Sequence, residues 1–323
     1  MLPTREQAAG ETNVIEVQGL RKQYGDFVAV DGVSFTAQPG QIFGLLGPNG
    51  AGKSTVIGCM SGLLSPTAGS VRLIGRDLTT DGPEAKRHLG VVPQDLAIYE
   101  ELSATENLSY WGGAYGLRGR ELSDRVAEVL AYIGLLDRAK EPTKRYSGGM
   151  KRRLNFGCGI VHRPKVLLLD EPTVAIDPQS RERLLDMVQE QADSGATVLY
   201  TSHYMEEAER LCDQLVIMDH GKVIAEGTVD ELRSKLGERD ILRFSGTFEP
   251  QRVRQILGER LSGAEILTAE EETVQVAMEG ATHKLPEVFR VLYEAGADVK
   301  ETVLRRPNLE SLFIKLTGKG LRE

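Results

Sequence analysis

The stretch Gly47-Pro48-Asn49-Gly50-Ala51-Gly52-Lys53-Ser54 constrains this chain more than any other. It fits the pattern G-x-x-x-x-G-K-[ST], and its surroundings are those the pattern needs. The apolar run Gln41-Ile42-Phe43-Gly44-Leu45-Leu46 before it reads as a buried strand, and Ser54-Thr55-Val56-Ile57 after it opens a helix. Glycines without a Cβ let backbone N–H groups wrap phosphate oxygens, and the positive end of the helix faces the same anion. Lys53 in such a loop neutralises β and γ phosphates, and the Ser54 hydroxyl ligates Mg²⁺. Strand, loop and helix together predict a phosphate-binding unit for ATP or GTP spanning Gly47 to Thr55.

With 323 residues the chain is too long for one small core and predicts two or three units. Hydrophobic residues at 41% and charged residues at 27% describe an ordinary globular composition. Strand-sized runs such as Val166-Leu167-Leu168-Leu169 are the longest apolar candidates, far short of the ~20 residues a membrane-spanning helix needs. Met1 to Glu11 lacks the apolar centre of a signal peptide, so residues 1–12 read as a flexible leader. Cys59, Cys158 and Cys212 are too few and too far apart for a disulfide framework or a metal spacing, which suits a reducing cytoplasm. A formal charge of −8 argues against a nucleic-acid partner.

Val14-Ile15-Glu16-Val17 and Gly32-Val33-Ser34-Phe35-Thr36 read as antiparallel strands, and Ser70 to Gly75 as another after the first helix. From about Leu96 to Arg163 the pattern becomes helical. Ser103-Ala104-Thr105-Glu106 is a capping box, and Leu122, Val126, Val129, Leu130 and Ile133 keep helical spacing. Strand runs return at Lys165–Asp170, Thr197–Thr201 and Gln214–Met218. This is an α/β core with an antiparallel β portion and a helical insert at about residues 95–164. The core spans residues 13–237. Over residues 238–323 the order β-α-β-β-α-β predicts a small α+β, ferredoxin-like domain.

Three more segments narrow the chemistry. The apolar strand Val166 to Leu169 ends in Asp170 and Glu171. Asp170 at the strand end suits the Mg²⁺ shell, and Glu171 can orient or deprotonate an attacking water. Tyr146-Ser147-Gly148-Gly149-Met150 precedes a helix that Ser147 would cap, with two glycines baring the backbone at its positive end. That makes a second anion site, or a plain helix cap. His203 follows a further strand, whereas His88, His162, His220 and His283 read as surface or packing residues.

In this order the motifs resemble those of the nucleotide-binding subunit of ABC transporters, over roughly residues 14–232. Tyr146-Ser147-Gly148-Gly149-Met150 resembles that family's Leu-Ser-Gly-Gly-Gln signature, departing at its first and fifth positions. The resemblance makes Gln94 the glutamine that reaches Mg²⁺ and the attacking water, and His203 the histidine that bonds the γ-phosphate and joins Glu171 to a second subunit. It makes Asp177 a dimer-crossing aspartate, with Ala175 where relatives usually have glycine, and Tyr24 an aromatic stacked on adenine. It implies that ATP held by Gly47–Thr55 of one copy is capped by Ser147, Gly148 and Gly149 of another, in a homodimer or a heterodimer. The membrane permease would be a separate polypeptide docked in a groove lined by Gln94 to Glu101 and the helical insert, with Leu96, Ile98 and Tyr99 as apolar anchors, on the cytoplasmic face of a bacterial membrane.

Pro307-Asn308-Leu309-Glu310-Ser311-Leu312-Phe313 with Leu316-Thr317-Gly318, and the run Ser147 to Leu154, resemble the drug- and antibiotic-resistance exporters of the ABC-2 type. The expected activity is ATP hydrolysis coupled to export of a drug, antibiotic, lipid or similar compound. Two alternatives stay open here: an ABC-type ATPase acting on DNA or ribosomes, and a P-loop kinase of a small metabolite.

Overall fold

The computed structural model describes residues 13–234, 239–261, 263–305 and 308–317. The leader read over residues 1–12 lies outside them, as do Pro307 and Gly318 of the tail motif. Packing divides the described residues into two units, between Val229 and Asp230. The division expected at residue 237 falls among residues that are not described.

In the first unit, β1 (Ile15–Tyr24) turns back into β2 (Phe27–Ala37) and pairs with it antiparallel. Ile15 and Val17 are buried while Glu16 and Gln18 are not, an alternation that a one-residue slip would invert. After β3 (Ile42–Leu46) and α1 (Lys53–Met60), β4 (Ala68–Leu73) returns antiparallel to β1, and the two-residue β5 (Arg76–Asp77) completes a sheet of order β2-β1-β4-β5. The helix α2 (Gly82–Lys86) and β6 (Leu89–Val92) lead into the insert, made of α3 (Ala104–Ala114), α4 (Gly119–Tyr132) and α5 (Gly148–Ile160). The chain then alternates through β7 (Val166–Asp170), α6 (Pro178–Asp193), β8 (Thr197–Ser202), α7 (Met205–Leu211), β9 (Gln214–Asp219) and β10 (Lys222–Gly227).

The central sheet has the order β10-β9-β3-β8-β7-β6 and is parallel apart from β10. Its inner strands are buried on both faces, which is why β3, and β7 up to Asp170, are apolar runs. Val166 and Leu168 join a core with Phe43, Leu45, Val56 and Met60 that also takes in Ile15, Val33 and Phe35 from the antiparallel sheet. The rings of Phe35 and Phe43 stack at 4.8 Å and tie the two sheets together. Parallel alignment brings the carboxyl ends of β3, β7 and β8 to one edge, where Leu46 pairs with Ser202 and Asp170 with Thr201. Ligands of such sheets bind outside that edge.

The helix α8 (Val229–Ser234) spans the division between the units. In the second unit, β11 (Arg239–Thr247), α9 (Pro250–Arg260), β12 (Glu265–Ala269), β13 (Thr273–Glu279), α10 (Ala281–Glu294) and β14 (Asp298–Arg305) precede α11 (Leu309–Thr317). All pairings are antiparallel in the order β12-β13-β11-β14, the arrangement of a ferredoxin-like domain. Leu242, Phe244, Val274 and Val276 form a core with Val253, Leu257, Val288 and Leu292 of α9 and α10.

Candidate active site

The glycine loop follows β3, and its last residue, Gly52, is the N-cap of α1 in a left-handed conformation. Gly47 also has positive φ, and a Cβ there would meet the Met218 carbonyl at 2.3 Å; one at Gly52 would meet the Ala29 carbonyl at 2.6 Å. No other residue type fits either place. A cavity of about 420 Å³ opens over the loop, lined by Asn49, Gly50, Gly52 to Thr55, Gln94, Glu171, Phe27 and Ala29.

Lys53 is buried, and its Nζ donates to the carbonyls of Gly47 at 2.8 Å and Pro48 at 3.1 Å. The same Nζ lies 2.9 Å from Glu171 Oε1. Glu171 Oε2 lies 3.0 Å from His203 Nδ1, so both carboxylate oxygens have partners. Glu171 is left-handed at φ 45°, which turns its side chain out of the strand direction of β7 and toward the loop. Asp170, one residue earlier, stays at the sheet edge, where burial pushes its pKa up against hydrogen bonds from Thr201 and Ser54 that lower it. A cation between Ser54 and Asp170 would offset that desolvation. These donors are hard oxygens, the set Mg²⁺ takes, with its remaining positions left to phosphate and water. Among the described residues, no cluster of three His, Cys, Asp or Glu side chains could hold a metal on its own.

Thr201 is a part of the site that the sequence reading missed. Its Oγ1 donates to Asp170 Oδ1 at 2.8 Å and accepts from the Glu171 N–H at 3.0 Å, so one buried hydroxyl sets both carboxylate residues. A threonine in a strand is too common to carry a signal, except that it precedes His203 by two residues. Phe27 was also missed. It is 66% exposed and lines the cavity, whereas Tyr24 is not among the lining residues. The two are register partners across the β1–β2 turn and so share a face of the hairpin, with Lys22 Nζ over the Tyr24 ring at 5.0 Å.

Ser147, Gly148 and Gly149 do not line this cavity. Ser147 caps α5, its hydroxyl accepting from the Met150 N–H at 3.3 Å. Gly149 is packed so closely on α6 that a Cβ would meet Ser180 Oγ at 2.2 Å. Asp177 caps α6, accepting from the Ser180 N–H at 2.9 Å, and the Ser180 hydroxyl first and that N–H second lower its pKa. Ala175 is exposed at φ 60°, a conformation suited to glycine. The residues therefore form two groups: Gly47–Thr55, Gln94, Asp170, Glu171 and His203 in one, Ser147–Gly149 with Ala175 and Asp177 in the other.

The helix α5 grips the segment after β6. Asn155 Oδ1 accepts from the Ala97 N–H at 2.9 Å, its Nδ2 donates to the Pro93 carbonyl at 3.2 Å, and Arg152 donates to the Gln94 carbonyl. Leu96 and Ile98 are half-buried and Tyr99 is exposed, packing edge-on against Tyr110 at 5.0 Å. Of the remaining histidines, His162 stacks on Tyr115 at 3.5 Å and bonds the Leu89 carbonyl, while His220 is an exposed turn residue.

The ABC transporter family profile matches residues 30–174. The chain is 42% identical over 315 residues to the linearmycin resistance ATP-binding protein LnrL of Bacillus subtilis, covering 96% of this chain and 100% of that protein. It is 37% identical to the Nod factor export ATP-binding protein I of Ralstonia nicotianae, covering 97% of each. A solved ATP-binding subunit of an ABC transporter superposes with a TM-score of 0.64 at 33% identity, covering 69% of this chain and 93% of that structure.

Proposed function

The chain belongs to the ATP-binding subunits of ABC transporters of the exporter type, and on that premise we propose how its residues carry out ATP-driven export. It hydrolyses nucleotide for a membrane permease; among the described residues no helix is long and apolar enough to cross a membrane. Relatives that match along nearly their whole length are named for antibiotic resistance and for Nod factor export, which favours export over action on DNA or ribosomes.

The proposed roles begin at Lys53. Phosphate oxygens arriving at Nζ compete with Glu171 Oε1 for the same cation, 2.9 Å away. The carboxylate oxygen so released becomes the acceptor for a proton of the attacking water. His203 holds the other oxygen at 3.0 Å, which limits the carboxylate to a narrow range of directions. Mg²⁺ bound through Ser54, Asp170 and Gln94 would neutralise charge developing on the phosphates. Phe27 and Tyr24, paired at the hairpin end, supply aromatic surface for a planar base.

The dimer is carried by one observation: Ser147, Gly148 and Gly149 offer an anion site at the start of α5 yet none of them lines the cavity of its own chain. A second copy, or a related subunit, would bring that helix end over the γ-phosphate, with Asp177 beside it at the seam. Nucleotide then joins the subunits, and cleavage favours their separation. The subunit would sit on the cytoplasmic face of a bacterial membrane beside an ABC-2 type permease. The cargo would be a drug, antibiotic, lipid or similar compound. Glu171→Gln tests the scheme: ATP should still bind, turnover should stop, and a dimer should accumulate. A monomer turning over at the normal rate would remove Glu171 from the mechanism.

A further inference from the structure

One buried carboxylate beside the site takes no part in that chemistry. Glu207, in α7, is 4% exposed. Its Oε2 accepts from Thr173 Oγ1 at 2.9 Å, Tyr200 OH at 2.8 Å and Ser202 Oγ at 2.8 Å. Its Oε1 faces Arg181 Nε at 3.5 Å. Burying a carboxylate is costly without such partners, and an apolar residue between α7 and β8 would pack there without the desolvation. A role in holding the fold therefore leaves the choice of glutamate unexplained.

The partners have a common feature, which is where they sit along the chain. Thr173 is two residues beyond Glu171. Ser202 immediately precedes His203, and with its proton committed to Glu207 its oxygen accepts the N–H of Tyr204 at 2.9 Å. The Tyr204 ring in turn lies under the Arg181 guanidinium at 4.8 Å and against the His203 ring at 4.1 Å. Tyr200 and Ser202 flank Thr201, the hydroxyl that sets Asp170 and Glu171. Ser202 before His203 and the turn after Glu171 thus bond Glu207 directly, and Tyr204 after His203 is tied to it through Ser202 Oγ.

We propose that Glu207 is a positioning residue for ATP hydrolysis, holding His203 Nδ1 against Glu171 Oε2 by fixing the backbone on either side of the imidazole. The proposal rests on the reading of Glu171 and His203 as the hydrolytic pair. Nucleotide is gripped by Gly47–Thr55, which Glu207 does not touch, so its loss lowers kcat and leaves KM in place.

Steady-state ATPase assays on the full chain test this with Glu207→Gln, His203→Ala and the double variant, each checked for its melting transition. We expect Glu207→Gln to lower kcat roughly 10- to 100-fold with KM for ATP changed less than about threefold. In the His203→Ala background the same substitution should cost less than about twofold, because the group it orients is already gone. Ser202→Ala and Tyr200→Phe each remove one donor, and losses of about 3- to 10-fold in kcat at constant KM carry the test if Glu207→Gln does not fold. Normal kcat in Glu207→Gln, or in both single-donor variants where Glu207→Gln does not fold, overturns the proposal, as does a loss that multiplies in full on top of His203→Ala. Wild-type turnover in His203→Ala removes the role of His203 and this proposal with it, whereas an impaired His203→Ala beside an unimpaired Glu207→Gln rejects this proposal alone.

Discussion

The chemistry at the residue scale is a short chain of contacts: Lys53 to Glu171 at 2.9 Å, Glu171 to His203 at 3.0 Å, with Asp170 and the Glu171 N–H set by Thr201. Lys53→Ala should raise the dissociation constant for ATP roughly 30- to 100-fold by removing a charge-assisted contact to phosphate, and a fluorescent-nucleotide titration measures it. Unchanged affinity would take the phosphate role from Lys53. Ala175 makes a different claim. It is exposed, so glycine there loses no packing and relieves a left-handed φ of 60°. Ala175→Gly should stabilise the chain by about 0.5–1 kcal/mol in chemical denaturation; a loss of stability would mean the conformation is not strained. That Lys53, Asp170 and Glu171 come together was legible because their spacing to a glycine loop or to an apolar strand end is set by the motifs. Thr201 and Glu207 were not, since they act through neighbours that only the fold brings together. Glu207 did leave one trace, a charge lying on the apolar helical face of Ala208 and Leu211.

At the scale of elements, local rules held where the side chain bonds its own helix. Ser103 caps α3, accepting from the Glu106 N–H, and Glu106 reaches back to the Ser103 N–H at 2.8 Å. Those bonds, from the Ser103 hydroxyl first and its backbone N–H second, hold the Glu106 carboxyl below its ordinary pKa. A depressed carboxylate contributes stability above its unfolded-state pKa and loses that contribution as pH falls through the folded one. Acid melts followed by circular dichroism should show this loss on the acid side of the carboxylate range, and Ser103→Ala, which keeps the backbone N–H, should reduce it while lowering the melting temperature by roughly 2–4 °C at neutral pH. An identical acid profile in the variant would count against the cap. The helix α5 was legible at its Ser147 cap but not in its grip on Pro93, Gln94 and Ala97, because Asn155 in a helix says nothing of a loop it will meet. Short elements such as α2 and β6 escaped the reading for lack of length. Phe27 escaped because Tyr24, its partner across the turn, drew the same inference.

For the whole molecule, strand alternation was enough to read β-α-β-β-α-β in the second unit, and two-sided burial enough to read the central strands. Strand order was beyond reach, since nothing in β3 or β7 says that β8 will lie between them. That placement is what lets Thr201 and His203 meet Asp170 and Glu171. The separation of Ser147–Gly149 from the cavity of their own chain followed from the resemblance and not from residue spacing, and it carries the account's central claim, that a second subunit completes the nucleotide site. The most direct measurement is the mass of Glu171→Gln by light scattering with and without ATP and Mg²⁺. The account predicts a monomer without nucleotide and a dimer with it, lost again when Ser147→Arg blocks the helix end. A monomer at saturating ATP, with the permease supplied, would contradict it.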